Sequence, residues 1–221
     1  MTLQASQLAF ARGNRPLFAD VSFELKPGEA LRVAGRNGSG KTSLLRVLCG
    51  LSEPLKGEVN WHGQPIRAQR DSFHQILTYI GHGLGLKDDL TAWENVQISA
   101  LLSGRACTRA QAQEALAQFG LNGRAHLAAR VLSQGQRRRV VLARLALPSV
   151  AEGAETQGKL LVLDEPFVAL DQESVSQLAS VLEQQLAQGA TLVYTTHQPL
   201  ALKTGGAHEL VLGADHVPEA V

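Results

Sequence analysis

One short stretch constrains this chain more than any other. Gly35-Arg36-Asn37-Gly38-Ser39-Gly40-Lys41-Thr42 fits the pattern G-x-x-x-x-G-K-[ST]. Ahead of it, Ala30–Ala34 is a short run suited to a buried strand. After it, Leu44, Leu45, Leu48 and Leu51 recur with a helical period, and Gly50 stands near the helix end. A strand, a glycine-rich turn and a helix in that order form a phosphate cradle. Glycine removes the Cβ atoms that would hold a phosphate off the backbone amides. The helix N-terminus adds partial positive charge at the same point. Gly35, Asn37, Gly38, Ser39 and Gly40, with Ser43 in the first helical turn, are therefore expected to wrap the phosphates of a nucleotide. Lys41 is placed to reach the β- and γ-phosphates, and the Thr42 hydroxyl to coordinate Mg²⁺.

A second element fits the first. Leu160-Leu161-Val162-Leu163 is a continuous apolar run followed by Asp164-Glu165. Such a run suits a strand covered on both faces of a parallel sheet. Ligands bind at the carboxyl ends of strands in sheets of that kind. Asp164 is the expected partner of Mg²⁺, through water, and Glu165 the candidate to polarise an attacking water. The plainer alternative is a strand that ends in a charged turn.

The remaining pattern is α/β. Leu17–Leu25, Gly57–Trp61 and Thr191–Thr195 read as strands, with a His62-Gly63 turn after the second. Thr91-Ala92-Trp93-Glu94 and Thr108-Arg109-Ala110-Gln111 fit capping boxes. Further helices are expected over about Gln136–Leu147, stopped by Pro148, and along Val175, Leu178, Val181, Leu182 and Leu186 up to Gly189. Pro148–Lys159 reads as an exposed loop. Strands alternating with helices at both ends predict a mostly parallel sheet, with the helical middle inserted into it as a lobe.

Composition sets the outer limits. The chain has 221 residues, a formal net charge of +1, 44% hydrophobic and 19% charged residues. Near-neutral charge argues against a dedicated nucleic-acid binder. No run approaches the roughly 20 apolar residues that a membrane-spanning helix needs. Met1–Phe10 has no Lys or Arg ahead of its apolar residues, so no signal peptide is expected. Cys49 and Cys107 lack metal-ligand spacing and read as free thiols of a reducing compartment.

Leu132-Ser133-Gln134-Gly135-Gln136 then resembles the LSGGQ signature of ATP-binding-cassette (ABC) ATPases, in its expected place between the cradle and Asp164-Glu165. Ala169-Leu170-Asp171 resembles the family's D-loop, and Thr195-Thr196-His197 its switch histidine at a strand end. The resemblance covers essentially the whole chain and implies a P-loop NTPase core with a mostly parallel sheet. It also implies an N-terminal antiparallel β subdomain and an inserted α-helical subdomain: core over 1–81 and 159–221, helical subdomain over 82–148. It implies an ATPase of two head-to-tail copies that sandwich ATP. Ser133, Gln134, Gly135 and Gln136 of one copy would face the γ-phosphate held by the other, and His197 would sense that phosphate beside Glu165. Gly35–Glu58, Gly63–Gly85 and Leu192–Leu200 look like the ATP-binding subunits of haem exporters in cytochrome c maturation. That branch implies an integral-membrane permease partner and a peripheral position on the cytoplasmic face of the bacterial inner membrane. Composition and spacing say nothing of haem, and no Cys-x-x-Cys-His motif occurs.

Departures from the family pattern are local. Gly81-His82 stands where most members carry the Q-loop glutamine, so His82 is the candidate to replace it, beside the reading of a plain surface histidine. Gln134 replaces a signature glycine. The adenine-stacking aromatic aligns nearest Arg12, whose planar guanidinium can stack, with Phe10 two residues away. Arg137-Arg138-Arg139 would point in different directions on a helix, as a solvated or interface-facing set. The alternatives to a haem exporter are the ATPase of another exporter, or a non-transport cassette acting on nucleic acid or ribosomes. The latter usually carry a second cassette, a coiled-coil insertion or basic tails, which this chain lacks.

Overall fold

The computed structural model describes residues 2–147, 158–197 and 202–213. Most of the expected loop over Pro148–Lys159, and the end of the Leu192–Leu200 match, lie outside them. In chain order the elements are β1 (Leu3–Arg12), β2 (Arg15–Leu25), β3 (Glu29–Gly35), α1 (Lys41–Leu48), β4 (Lys56–Trp61), β5 (Gln64–Pro65), α2 (Arg70–Ile76) and β6 (Leu77–Ile80). Then come α3 (Ala92–Leu102), α4 (Arg109–Ala117), α5 (Gln134–Leu142), β7 (Leu160–Leu163), α6 (Gln172–Ala187), β8 (Thr191–Thr195) and β9 (Gly206–Leu212). They form two compact units. Met1–Gly81, Gln157–Glu165 and Gln185–Val221 make the first, and His82–Thr156 with Pro166–Gln184 the second.

The first unit holds two sheets. An antiparallel sheet runs β2-β1-β4-β5, and a five-stranded sheet runs β6-β7-β8-β3-β9. Among the described residues every strand pair in the latter is parallel. β7 is buried at all four positions and β8 at all five, which is why both read as apolar or β-branched runs without alternation. The apolar stripe of α1 buries Leu44, Leu45, Val47 and Leu48. These join one core with Leu3, Leu8, Phe18 and Val21 of the antiparallel sheet and Leu31, Val33, Leu160 and Val193 of the parallel one. Because parallel strands share one direction, the ends of β3, β7 and β8 come out on one edge. That edge receives Gly35, Asp164 and Thr196.

The second unit is helical and tightly capped. Thr91, Thr108 and Ser133 begin α3, α4 and α5, each with both arms of a capping box formed. Thr91 Oγ1 accepts from Glu94 N–H, while Glu94 Oε2 accepts from Thr91 N–H at 2.8 Å. Replacing Thr91 with Ala should destabilise the protein by about 1 kcal/mol. Urea denaturation checks this, as a lower midpoint at unchanged slope.

Pro166–Gln184 groups with the helical unit, inside the 159–221 span expected for the core. Arg138 Nε donates to Pro166 O at 3.5 Å, and a Cβ on Gly135 would stand 3.0 Å from Ala169 O, so α5 holds this segment. The arginine triplet, expected as a solvated or interface-facing set, is instead bonded within its own unit. Arg138 is buried, Arg137 pairs with Asp88 at 2.6 Å, and Arg139 donates to Phe119 O at 3.3 Å. The helix expected over about Gln136–Leu147 starts at Gln134 and tightens to a 3₁₀ turn over Ala143–Ala146.

Candidate nucleotide-binding site

The end of β3 leads directly into the glycine-rich turn. Gly35, Gly38 and Gly40 take φ of +142°, +81° and +99°, backbone that a side chain rarely adopts. A Cβ on Gly35 would stand 2.6 Å from Ser39 Oγ and 2.7 Å from Leu212 O, so only glycine fits there. Gly40 is the residue before α1 and offers no side-chain cap, and the first turn of α1 has no acidic residue. In contrast to α3, α4 and α5, the first amides of α1 are thus left open to a ligand. Ser39 Oγ is sealed from solvent with no hydrogen-bond partner in the structure. Lys41 Nζ lies across the turn, donating to Gly35 O at 2.8 Å and Arg36 O at 3.3 Å. Amides, an orphaned hydroxyl and an ammonium therefore converge on one loop whose glycines leave room for a bulky anion. Asn37 is exposed on the loop, and Ser43 is half-buried within α1.

A cleft of about 570 Å³ opens over Gly35–Ser39, walled by Arg15, Pro16 and Leu17 on one side and Val211, Leu212 and Gly213 on another. Arg12 pairs across the hairpin with Arg15, so it sits one strand back from that wall. Phe10 is spent on packing, stacked on Phe18 with centroids 5.9 Å apart.

The carboxylates stand beside the cradle. Thr42 Oγ1 donates to Asp164 Oδ2 at 2.8 Å, tying the first turn of α1 to the end of β7. Asp164 is buried, and its Oδ1 accepts from Thr195 Oγ1 at 2.8 Å. Burial pushes the Tyr79 phenol on neighbouring β6 above its ordinary range, and the charge of Asp164 adds to this. Glu165 follows at φ +50°. Its side chain is only 15% exposed, and Oε1 lies 3.3 Å from His197 Nε2, while His197 is 59% exposed. One acid is thus clamped by two hydroxyls, and the next is shielded and paired with an imidazole. Among the described residues no group of three or more His, Cys, Asp or Glu could by itself hold a metal. A hard cation here would draw its oxygens from Thr42, Asp164 and the ligand's own phosphates, as Mg²⁺ commonly does.

The other expected residues belong to the second unit. Ser133 and Gln134 are exposed, and Gly135 and Gln136 half-buried. The Ser133 oxygen accepts from Gln136 N–H at 3.3 Å, which leaves its hydroxyl proton able to donate outward. Asp171 is exposed, and its carboxyl is held below its ordinary range by hydrogen bonds from Ser174, whose N–H donates to Oδ1 at 2.8 Å. His82 is exposed at the start of this unit. Thr195, absent from the expected site residues, proves to touch both carboxylate-bearing positions. In the sequence it shows only as the first residue of Thr195-Thr196-His197 at a strand end.

Similarity to known proteins agrees with this geometry. The ABC transporter family profile matches residues 18–168. The cytochrome c biogenesis ATP-binding export protein CcmA of Nitrosomonas europaea is 50% identical over 210 residues, covering 95% of each chain. That of Nitrosospira multiformis is 44% identical, covering 96% of this chain and 98% of its own. Among solved structures, a dimeric post-hydrolysis ATP-binding cassette bound to ADP and Pi superposes with a TM-score of 0.73 at 23% identity, over 89% of this chain and 88% of that one. Among the described residues no helix is long and apolar enough to cross a membrane. The phosphate cradle, its paired carboxylates and this breadth of similarity place the chain in one family: it belongs to the ABC transporters, as an ATP-binding cassette.

Proposed function

We propose that this chain is the ATP-hydrolysing subunit of the export complex that serves cytochrome c biogenesis, with haem as the cargo of its membrane partner. The observation that carries the hydrolytic half is the 2.8 Å bond from Thr42 to Asp164, which joins the phosphate cradle to the carboxylate edge. The export half rests on similarity to CcmA proteins over nearly the full chain.

The amides of Gly35, Asn37, Gly38 and Gly40 with the Ser39 hydroxyl enclose the phosphates, and Ser43 extends the cradle into α1. Lys41 neutralises charge on the β- and γ-phosphoryl oxygens. Thr42 would hold Mg²⁺ directly and Asp164 would hold it through water; bound there, the ion neutralises charge on the same oxygens. Glu165 takes a proton from water as the water oxygen bonds to the γ-phosphorus. The bond to the β–γ bridging oxygen breaks, and ADP and phosphate leave. His197 keeps the Glu165 carboxylate turned toward that water and senses the γ-phosphate. Arg15 lines the cleft mouth on the adenine side, with Arg12 one strand behind it.

Ser133, Gln134, Gly135 and Gln136 of a second copy supply a hydroxyl and helix-end amides to the γ-phosphate, with Asp171 lining the same junction. ATP then bridges the copies, and hydrolysis removes the bridge. His82 takes the place of the glutamine that links the nucleotide to the membrane partner. The protein works peripherally, on the cytoplasmic face of the bacterial inner membrane, through a permease carried on other chains. Near-neutral charge fits a protein partner better than nucleic acid.

Affinity purification from detergent-solubilised membranes tests the export half. Co-purification with an integral-membrane protein that carries haem is the expected result. Recovery from the soluble fraction alone, with ATPase activity stimulated by RNA or DNA, would contradict it.

A further inference from the structure

Thr195 closes β8 and is fully buried, at 0% exposure. The register explains what it touches. Leu163 pairs with Tyr194 across β7 and β8, so Asp164 stands abreast of Thr195. A hydroxyl has one proton and two lone pairs. Thr195 gives its proton to Asp164 Oδ1 at 2.8 Å and accepts the Glu165 N–H at 2.8 Å. The direction of both bonds is fixed, because a carboxylate can only accept and a backbone amide can only donate.

The second bond matters for the residue it holds. Glu165 sits at φ +50°, a left-handed conformation that long side chains rarely adopt and that persists only where the surroundings impose it. Asp164 N–H still donates to Ile80 O at 2.8 Å and so continues the sheet ladder. Glu165 is where the chain turns away, and its amide is caught by a side chain instead. Two residues beyond Thr195, the same strand end brings His197 Nε2 to 3.3 Å from Glu165 Oε1. The end of β8 thus grips Glu165 at its backbone and at its carboxylate.

We propose that Thr195 is a positioning residue for ATP hydrolysis. Its hydroxyl sets the backbone of Glu165 against the clamped carboxylate of Asp164 and so aims the Glu165 side chain at the attacking water. It touches neither water nor phosphate, and it contributes through geometry alone. The inference rests on the reading of Glu165 as the base.

Thr195→Val keeps the shape and removes both bonds; Thr195→Ser keeps the bonds and loses a methyl. In the purified full-length protein, Thr195→Val should lower kcat between about 10- and 100-fold, the scale of a small misplacement at a reacting centre. Equilibrium ATP affinity should stay within about twofold, since an effect confined to the chemical step leaves ground-state binding alone. Thr195→Ser should recover most of the turnover. If the valine variant does not fold, Thr195→Ala replaces it and must show the same loss. Wild-type turnover in the variant lacking the hydroxyl, affinity falling in step with kcat, or a serine variant as impaired as valine would each overturn the proposal. Glu165→Gln is measured alongside. If it hydrolyses normally, the base reading fails; if it is inactive while Thr195→Val is not, only the positioning role fails.

Discussion

Glu165→Gln is expected to lower ATP turnover about 10²- to 10⁴-fold, the range that a positioned general base contributes, while nucleotide affinity is retained. The substitution changes little besides basicity. An amide fills the same shielded space and can still meet His197, so neither the backbone turn at φ +50° nor the 3.3 Å contact is lost. The cradle is untouched, because its donors come from Gly35–Ser43. What disappears is a group that can accept a proton from water. Phosphate release at steady state, with equilibrium nucleotide binding on the same preparation, separates the two quantities. Wild-type turnover would mean that water is deprotonated elsewhere.

Lys41→Ala should act on the opposite quantity. Its ammonium is the only side-chain cation bonded across the turn among the described residues, through Gly35 O and Arg36 O. Charge-assisted hydrogen bonds contribute about 1.5–3 kcal/mol, which converts to a loss of ATP affinity of about 10- to 100-fold. The fold should persist, because α1 is anchored by buried Leu44, Leu45, Val47 and Leu48 on its other face. A calorimetric or fluorescence titration with ATP measures it. Unchanged affinity would place the phosphates outside Gly35–Thr42.

The cradle, Asp164-Glu165 and the helix caps were legible in the sequence because each is set locally. A glycine's φ, a Thr-x-x-Glu box or an apolar run before two acids needs no distant partner to be recognised. The expected β8, Thr191–Thr195, agrees residue for residue for the same reason. What escaped depends on tertiary neighbours. β9 shows no apolar alternation because as an edge strand it exposes Ala207, His208, Glu209 and Val211, and only β3 beside it completes the pairing. The short α2 buries only Phe73 and so has no apolar stripe. The arginines of α5 read in sequence as a solvated or interface-facing set, because Asp88, Phe119 O and Pro166 O, their partners, come from distant segments. Thr195 is the same case within the site. Its role follows from the β7–β8 register, which periodicity does not encode.

On the proposed function, one copy of this chain holds an incomplete ATP site, which a second copy finishes through Ser133–Gln136. The most direct test is the mass of Glu165→Gln, by light scattering coupled to size exclusion, with and without saturating ATP and Mg²⁺. A monomer is expected without nucleotide and a stable dimer with it, containing one ATP per chain, and Ser133→Arg should abolish the dimer while leaving ATP binding intact. A Glu165→Gln protein that binds ATP fully and remains monomeric would contradict it.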